Sequence, residues 1–297
     1  MKYVDFGRTG ICISAVSYGG IVSASDFGGA HCVQDDQTGS DHHVAWAIEK
    51  GINYFDVAPS YGNAQEQLGK SLRPYRKDVH LACKTLKRDR AGAEAEFQES
   101  RKLLYTDYFD VYQMHAVNNL ETVDALFASG GTMELLQELK QQGSIRNIGF
   151  SSHNEEAALE MLRRFDFDSV LFPFNWFMNM AHDMGSRLVR EAKQRNIGVL
   201  CMKSMIESAW DSKEQRYASP YPKSWCKPID VEDEAFGMAA MKYALSLGVD
   251  TLIPPGNFAH FSFVVDHIDQ CLANPLNDAD RAFLEQKLET VRGKEFF

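Results

Sequence analysis

Short, almost wholly apolar runs alternate with amphipathic segments of helical length from one end of this chain to the other, and that alternation restricts the possible folds more than any other feature. The candidate strands are Ala15–Tyr18, Asn53–Ala58, Val79–Thr85, Tyr108–His115, Ile145–Ser151, Ser169–Asn175, Ile197–Lys203 and Asp250–Pro254. Most are continuous apolar runs rather than alternating ones, which suits parallel strands buried on both faces. Between them lie the helical patterns Asp41–Lys50, Glu94–Leu104, Thr132–Gln142, Glu155–Phe165, Gly185–Asn196 and Glu232–Leu247. Gly51 and Gly143 follow two of these as candidate left-handed stops. The order predicts an α/β protein, a (β/α)8 TIM barrel formed by residues 1–297 as a single domain. An open doubly wound sheet is the alternative.

Two additions flank the repeating units. Tyr3–Phe6 and Ile11–Ser14, on either side of Gly7-Arg8-Thr9-Gly10, read as an N-terminal β-hairpin that could plug the bottom of a barrel. Asp278–Val291 reads as an extra C-terminal helix. Two long connections, Ile21–Ser40 and Met205–Asp230, leave the C-terminal ends of the first and seventh strands, the face where barrel enzymes work.

Composition narrows the partners. With 31 basic and 41 acidic residues the formal charge is −10, a poor match to nucleic acid or an anionic membrane. The longest nearly apolar stretch, from Ser169 to Met180, is too short for a bilayer and is interrupted by Pro173 and Asn175. The start, Met1-Lys2-Tyr3-Val4-Asp5, has no apolar core of a secretory signal, so a cytoplasmic location is expected. The six cysteines are scattered without a Cys-x-x-Cys, which excludes the usual zinc and iron–sulfur spacings. His42 and His43, adjacent on a helix, cannot share one face, so no metal site is expected.

Four polar residues fall at or just beyond the ends of successive candidate strands. Asp56 lies in Gly51-Ile52-Asn53-Tyr54-Phe55-Asp56-Val57-Ala58-Pro59-Ser60-Tyr61-Gly62, with Tyr61 five residues on. Lys84 stands in Leu81-Ala82-Cys83-Lys84-Thr85, and His115 ends Asp110-Val111-Tyr112-Gln113-Met114-His115. In a parallel barrel these positions converge on one mouth. Singly each has a plain structural use, as a turn former, a loop aromatic or an interior histidine. Lys84 is the exception, because an unpaired buried ammonium is costly and demands a carboxylate. Together they suit proton delivery to a carbonyl oxygen. Tyr61 would be the donor, Lys84 would favour its anion, Asp56 would hold the lysine, and His115 would orient the carbonyl. A nicotinamide would be needed for the hydride.

These blocks, together with Glu66-Gln67-Leu68-Gly69-Lys70 and Gly143-Ser144-Ile145-Arg146-Asn147-Ile148-Gly149-Phe150-Ser151-Ser152-His153, resemble the aldo-keto reductase superfamily along nearly the whole chain. The Gly-x-Phe-Ser-Ser-His form looks most like the branch of its iron–sulfur-associated members, without their cysteine cluster. The resemblance implies a tetrad of Asp56, Tyr61, Lys84 and His115. It also implies a dinucleotide laid across the barrel mouth against Ser151, Ser152, Met202, Lys203, Ser204, Gly256 and Asn257. NADP is the family's usual cofactor, with NAD possible, because no Lys or Arg occurs from Tyr243 to Asp280 to clamp a 2′-phosphate. Lys213, Arg216, Lys223 and Lys227 of the strand-seven loop are candidate substitutes, with a solvated loop as the alternative reading, and His260 or His267 could contribute. Relative to the family, Ser152 replaces an asparagine, Leu171 a glutamine and Met202 a stacking tyrosine.

The expected function is NAD(P)H-dependent reduction of an aldehyde or ketone, or the reverse oxidation of an alcohol. A nicotinamide-binding regulatory module with little turnover is the alternative. A metal-dependent barrel hydrolase would need a ligand cluster that the sequence lacks. Phe27, Trp176, Phe177, Trp210, Tyr217, Tyr221 and Trp225 lie near the expected mouth and could line an apolar substrate pocket.

Overall fold

The computed structural model describes residues 1–294. Eight parallel strands form the central sheet: β1 (Tyr18–Gly19), β2 (Tyr54–Asp56), β3 (His80–Thr85), β4 (Phe109–Met114), β5 (Ile145–Ser151), β6 (Ser169–Phe172), β7 (Gly198–Met202) and β8 (Thr251–Ile253). Each pairs with its neighbour in sequence. A parallel bridge between Val16 and Leu252 joins the first and last, with Ser17 N–H donating to the Leu252 carbonyl at 2.9 Å and Leu252 N–H to that of Ala15 at 3.0 Å. The sheet is therefore a closed barrel, and the open-sheet alternative is excluded.

All eight candidate strands are strands or strand neighbours. The first is displaced: Ala15–Tyr18 was expected, and only Tyr18 lies within β1. The helices start where a short polar side chain can satisfy a free backbone N–H. Asp36 caps Gln37–Glu49, Asp89 caps Arg90–Leu103, Asn154 caps Glu155–Arg164 and Asn257 caps Phe258–Ala273. Gly51 and Gly143 have φ of +83° and +77°, as their place after two helices required. Helices Ala64–Leu72, Leu120–Phe127, Trp176–His182, Lys213–Ala218 and Phe258–Ala273 lie outside the helical segments expected from the sequence. The last is buried on several sides by Phe261, Phe263, Val264, Val265 and Ile268, so the polar face that betrays a surface helix is thin.

The N-terminal hairpin pairs Tyr3–Asp5 with Cys12–Ser14 and closes the barrel base. Phe6 and Ile13 are fully buried and pack with Tyr54, Ala82, Val111, Leu171 and Leu200, which point into the barrel. Phe6 meets Tyr54 edge to face, ring centroids 5.6 Å apart. The C-terminal helix Asp278–Val291 forms as expected and covers a separate cluster with Trp176, Phe177 and Phe236. Among the described residues no helix is long and apolar enough to cross a membrane.

The long connections at the mouth are ordered. The first contains a short hairpin, Asp26–Phe27 with Ala30–His31; the second contains a ribbon, Ile206–Ser208 with Lys227–Pro228, and a helix, Lys213–Ala218. Because Phe6 fills the base and nothing can replace it locally, Phe6→Ala should lower unfolding free energy by about 3–5 kcal/mol. A urea midpoint equal to that of the wild type would show that the plug contributes little.

Candidate active site

The strand ends bring the four expected residues together. Asp56 ends β2, Lys84 lies on β3, His115 directly follows β4, and Tyr61 sits on the turn between β2 and helix Ala64–Leu72. Lys84 is fully buried and Asp56 is 2% exposed. The ammonium donates to Asp56 Oδ1 and, at 3.4 Å, to the Val57 carbonyl. Its Nζ lies 5.3 Å from the centre of the Tyr61 ring. Tyr61 in turn meets His115 edge to face, centroids 5.6 Å apart.

The electrostatics follow from burial and these neighbours. Burial pushes the Lys84 ammonium towards losing its proton, but Asp56 and Tyr61 outweigh it and hold its pKa above the ordinary value. Burial raises the Tyr61 phenol, and Lys84 opposes the rise without cancelling it. Lys84 thus acts in the expected direction, yet the net shift is upward because the site is dry. Burial, reinforced by Lys84, His153, Arg88 and Lys203, pushes the His115 imidazole well below its ordinary value, so it is neutral at pH 7.

Residues without a sequence signature fix this arrangement. Arg88 donates to the carbonyls of His115 (2.6 Å) and Ala116 (3.1 Å), holding the β4 end in place. Ser60 Oγ lies 3.3 Å from His115 Nδ1. Lys203 Nζ lies 2.5 Å from His153 Nε2, joining the ends of β5 and β7; burial lowers the Lys203 pKa to about 8 and that of His153 to about 3. His153 stood in a recognisable block, but nothing in sequence spacing pairs it with Lys203.

A cavity of about 240 Å³ opens above these groups. Asp56, Tyr61, His115, Ser151, Met202, Lys203 and Gly256 all reach its wall. Its other side is apolar: Phe27 meets Tyr61 edge to face at 5.9 Å and Trp225 at 5.4 Å. Of the pocket aromatics expected from sequence, Phe27 and Trp225 line it, whereas Trp176 and Phe177 are buried against the C-terminal helix.

Three expected cofactor residues stand back from the wall. Ser152 is buried and its hydroxyl donates to the Val117 carbonyl at 2.6 Å, tying down the Ser-Ser-His turn, so its side chain is spent on the loop. Asn257 caps its helix through Oδ1 and leaves Nδ2 buried without a protein partner. The buried Ser204 Oγ is likewise unpartnered.

Three of the four candidate phosphate clamps also have other work. Lys223 is 2% exposed, forms an ion pair with Asp35 at 2.8 Å, and donates to the carbonyls of Ile21, Val22 and Ala24. It clasps the strand-seven loop to the strand-one loop. Arg216 is buried, donates to the Pro222 carbonyl and lies over Trp225 at 4.5 Å. Lys227 pairs with Glu207 at 2.8 Å, and only Lys213 is exposed without such a contact. His260 is buried between Asn257 and the Ile229 carbonyl, and His267 Nδ1 lies 2.8 Å from the Phe263 carbonyl. No group of three His, Cys, Asp or Glu side chains fit to hold a metal occurs among the described residues.

The sequence profile of the Aldo/keto reductase family matches residues 26–250. The chain belongs to that family. It is similar to the aldo-keto reductase YhdN of Bacillus subtilis, 29% identical over 228 residues, a match covering 72% of this chain and 65% of that protein. It is also similar to an L-galactose dehydrogenase of Arabidopsis thaliana, 32% identical over 49% of this chain and 46% of the other. The matched stretches thus span less than two thirds of these curated relatives. Among solved structures, the holo form of an aldo-keto reductase from Bacillus halodurans superimposes with a TM-score of 0.72 at 21% identity, covering 100% of this chain and 98% of that one. A putative aldo-keto reductase from Pseudomonas aeruginosa gives 0.71 at 22% identity, covering 91% and 95%. These likenesses establish the aldo-keto reductase barrel.

Removing one half of a buried ion pair strands the other. Asp56→Ala leaves the Lys84 ammonium with a long carbonyl contact alone, and should destabilise the protein by about 3–5 kcal/mol. Lys84→Met removes the buried positive charge and lets Asp56 take up a proton, so it should cost less. Urea unfolding of the two variants side by side checks the order; an Asp56→Ala midpoint at or above that of Lys84→Met would refute the pairing.

Proposed function

We propose that this protein is a nicotinamide-dependent carbonyl reductase in which Tyr61 delivers the proton. The observation that supports this best is a phenol facing a buried, carboxylate-held ammonium on one side and a neutral imidazole on the other, at the floor of a largely apolar cavity. A bound nicotinamide dinucleotide would supply the hydride that no side chain can. Met202, Lys203 and Gly256 on the cavity wall would hold it, with Ser204 and Asn257 behind them offering unspent hydrogen-bonding atoms.

The chain's own residues do the rest. His115, neutral and fixed by Arg88, orients the carbonyl oxygen. Tyr61 gives that oxygen its proton as the alcohol forms. Lys84 stabilises the resulting phenolate, and Asp56 keeps the lysine charged and in place. The cavity's aromatic wall suits an apolar carbonyl compound. Because burial raises the Tyr61 pKa, the phenol is protonated through neutral pH. Reduction should therefore stay level across neutral pH and fall at higher pH, while alcohol oxidation, which needs the phenolate, should rise with pH.

Tyr61→Phe should lower kcat by about 10²–10⁴-fold while cofactor affinity, followed by fluorescence titration, is unchanged. Turnover of a carbonyl panel by this variant at the wild-type rate would remove Tyr61 from the chemistry. With three of four loop cations already engaged, discrimination between cofactors should be weak. The Kd values for NADPH and NADH should differ by less than about tenfold, the equivalent of about 1.4 kcal/mol. A hundredfold preference for NADPH would show that Lys213 or a residue not considered above clamps the phosphate.

A further inference from the structure

Below the cavity, the barrel interior contains more hydrogen-bonding atoms than the protein satisfies. Gln113 is fully buried, and neither its Oε1 nor its Nε2 has a protein partner. Ser169 Oγ, Asp56 Oδ2 and the Tyr54 hydroxyl are buried in the same condition. All four side chains point inward. Tyr54 packs among the interior residues, and Asp56 is two residues further along the same strand face. Gln113 and Ser169 lie two residues from Val111 and Leu171, which also belong to the interior. An unmet buried donor or acceptor is costly, and native proteins hold few.

Strand register shows how these groups meet. Gln113 on β4 pairs with Lys84 of β3 on one side and with Gly149 of β5 on the other, and Gly149 pairs with Ser169 of β6. A Cβ on Gly149 would stand 2.3 Å from Ser169 Oγ and 3.2 Å from Gln113 Cγ. The two polar side chains thus converge over a strand position that has no side chain of its own. Barrel layers are built from alternate strands. Asp56, Leu171 and Ile253, from β2, β6 and β8, reach the cavity floor, and Gln113 is what β4 contributes at that level. A buried water needs two to four polar partners, and this region offers an amide, a hydroxyl and a free carboxylate oxygen.

We propose that Gln113 and Ser169 hold an internal water beneath the Lys84–Asp56 pair, and that Gln113 is thereby a positioning residue that keeps the ammonium aimed at Tyr61. The water hydrogen-bonds the Asp56 oxygen that Lys84 does not use, so the carboxylate does not swing to find another donor. Its kinetic consequence rests on the carbonyl-reductase reading above; the water itself does not.

Two measurements test this separately. In a crystal structure of the wild-type protein, a density peak should lie about 2.6–3.2 Å from both the Gln113 amide and Ser169 Oγ. A Gln113 amide enclosed by apolar atoms alone would overturn the proposal, whether or not the protein reduces carbonyls. In kinetics, Gln113→Met keeps the volume and removes both polar ends. It should lower kcat on the order of ten- to a hundredfold, as small misplacements of catalytic groups do, with the cofactor Kd unchanged and the high-pH limb of the rate profile displaced. Gln113→Glu, which when protonated again offers a donor and an acceptor, should recover activity at low pH and lose it as the new carboxyl ionises. A Gln113→Met enzyme with the wild-type kcat and pH profile would also overturn the positioning role. If the wild-type protein turns over no carbonyl, the functional reading fails, and the crystallographic result alone decides on the water.

Discussion

An ammonium in the middle of a closed barrel imposes terms on everything around it. Lys84 has no exposed surface, so its charge persists only if a carboxylate is delivered to it from the neighbouring strand. That requirement fixes the register of β2 against β3 and places Asp56 at the strand end. It also sets Tyr61 and His115 within its field. Dryness raises the phenol against the opposing pull of Lys84, whereas dryness and the surrounding positive charge together neutralise the imidazole. Replacing the pair with apolar residues would give a quieter core and no means of steadying a phenolate.

A second buried lysine organises the mouth in a similar way. Lys223 uses one carboxylate and three backbone carbonyls to join the loops after β1 and β7. The loops meet again where Tyr217 donates to the Gly28 carbonyl at 3.0 Å and where Trp225 packs on Phe27. The cation that sequence reading offered as a phosphate clamp thus also serves the architecture, while it still reaches the cavity wall.

The barrel was legible because parallel strands buried on both faces leave unbroken apolar runs, and the sequence has eight of them in order. The convergence of Asp56, Tyr61, Lys84 and His115 was legible because a lysine within such a run is expensive enough to demand explanation. What escaped notice depended on partners far apart in the chain. Arg88 differs from any surface arginine only in the carbonyls that it meets, and His153 finds Lys203 from 50 residues away. Ser152 occupies the place of a cofactor contact, but its hydroxyl is captured by Val117, 35 residues upstream. Helix Phe258–Ala273 was missed because a helix buried on several sides loses the periodicity that marks it.

The plugged base has a consequence for the direction of traffic. With Phe6 and Ile13 sealing the base, the interior opens towards the cavity at the other end. In the proposed chemistry, the proton that Tyr61 spends cannot be restored from below, and the route from above is occupied while product remains. Recharging the enzyme must then wait for departure, so the slow opening of a crowded doorway, rather than bond making, would set the pace of the cycle.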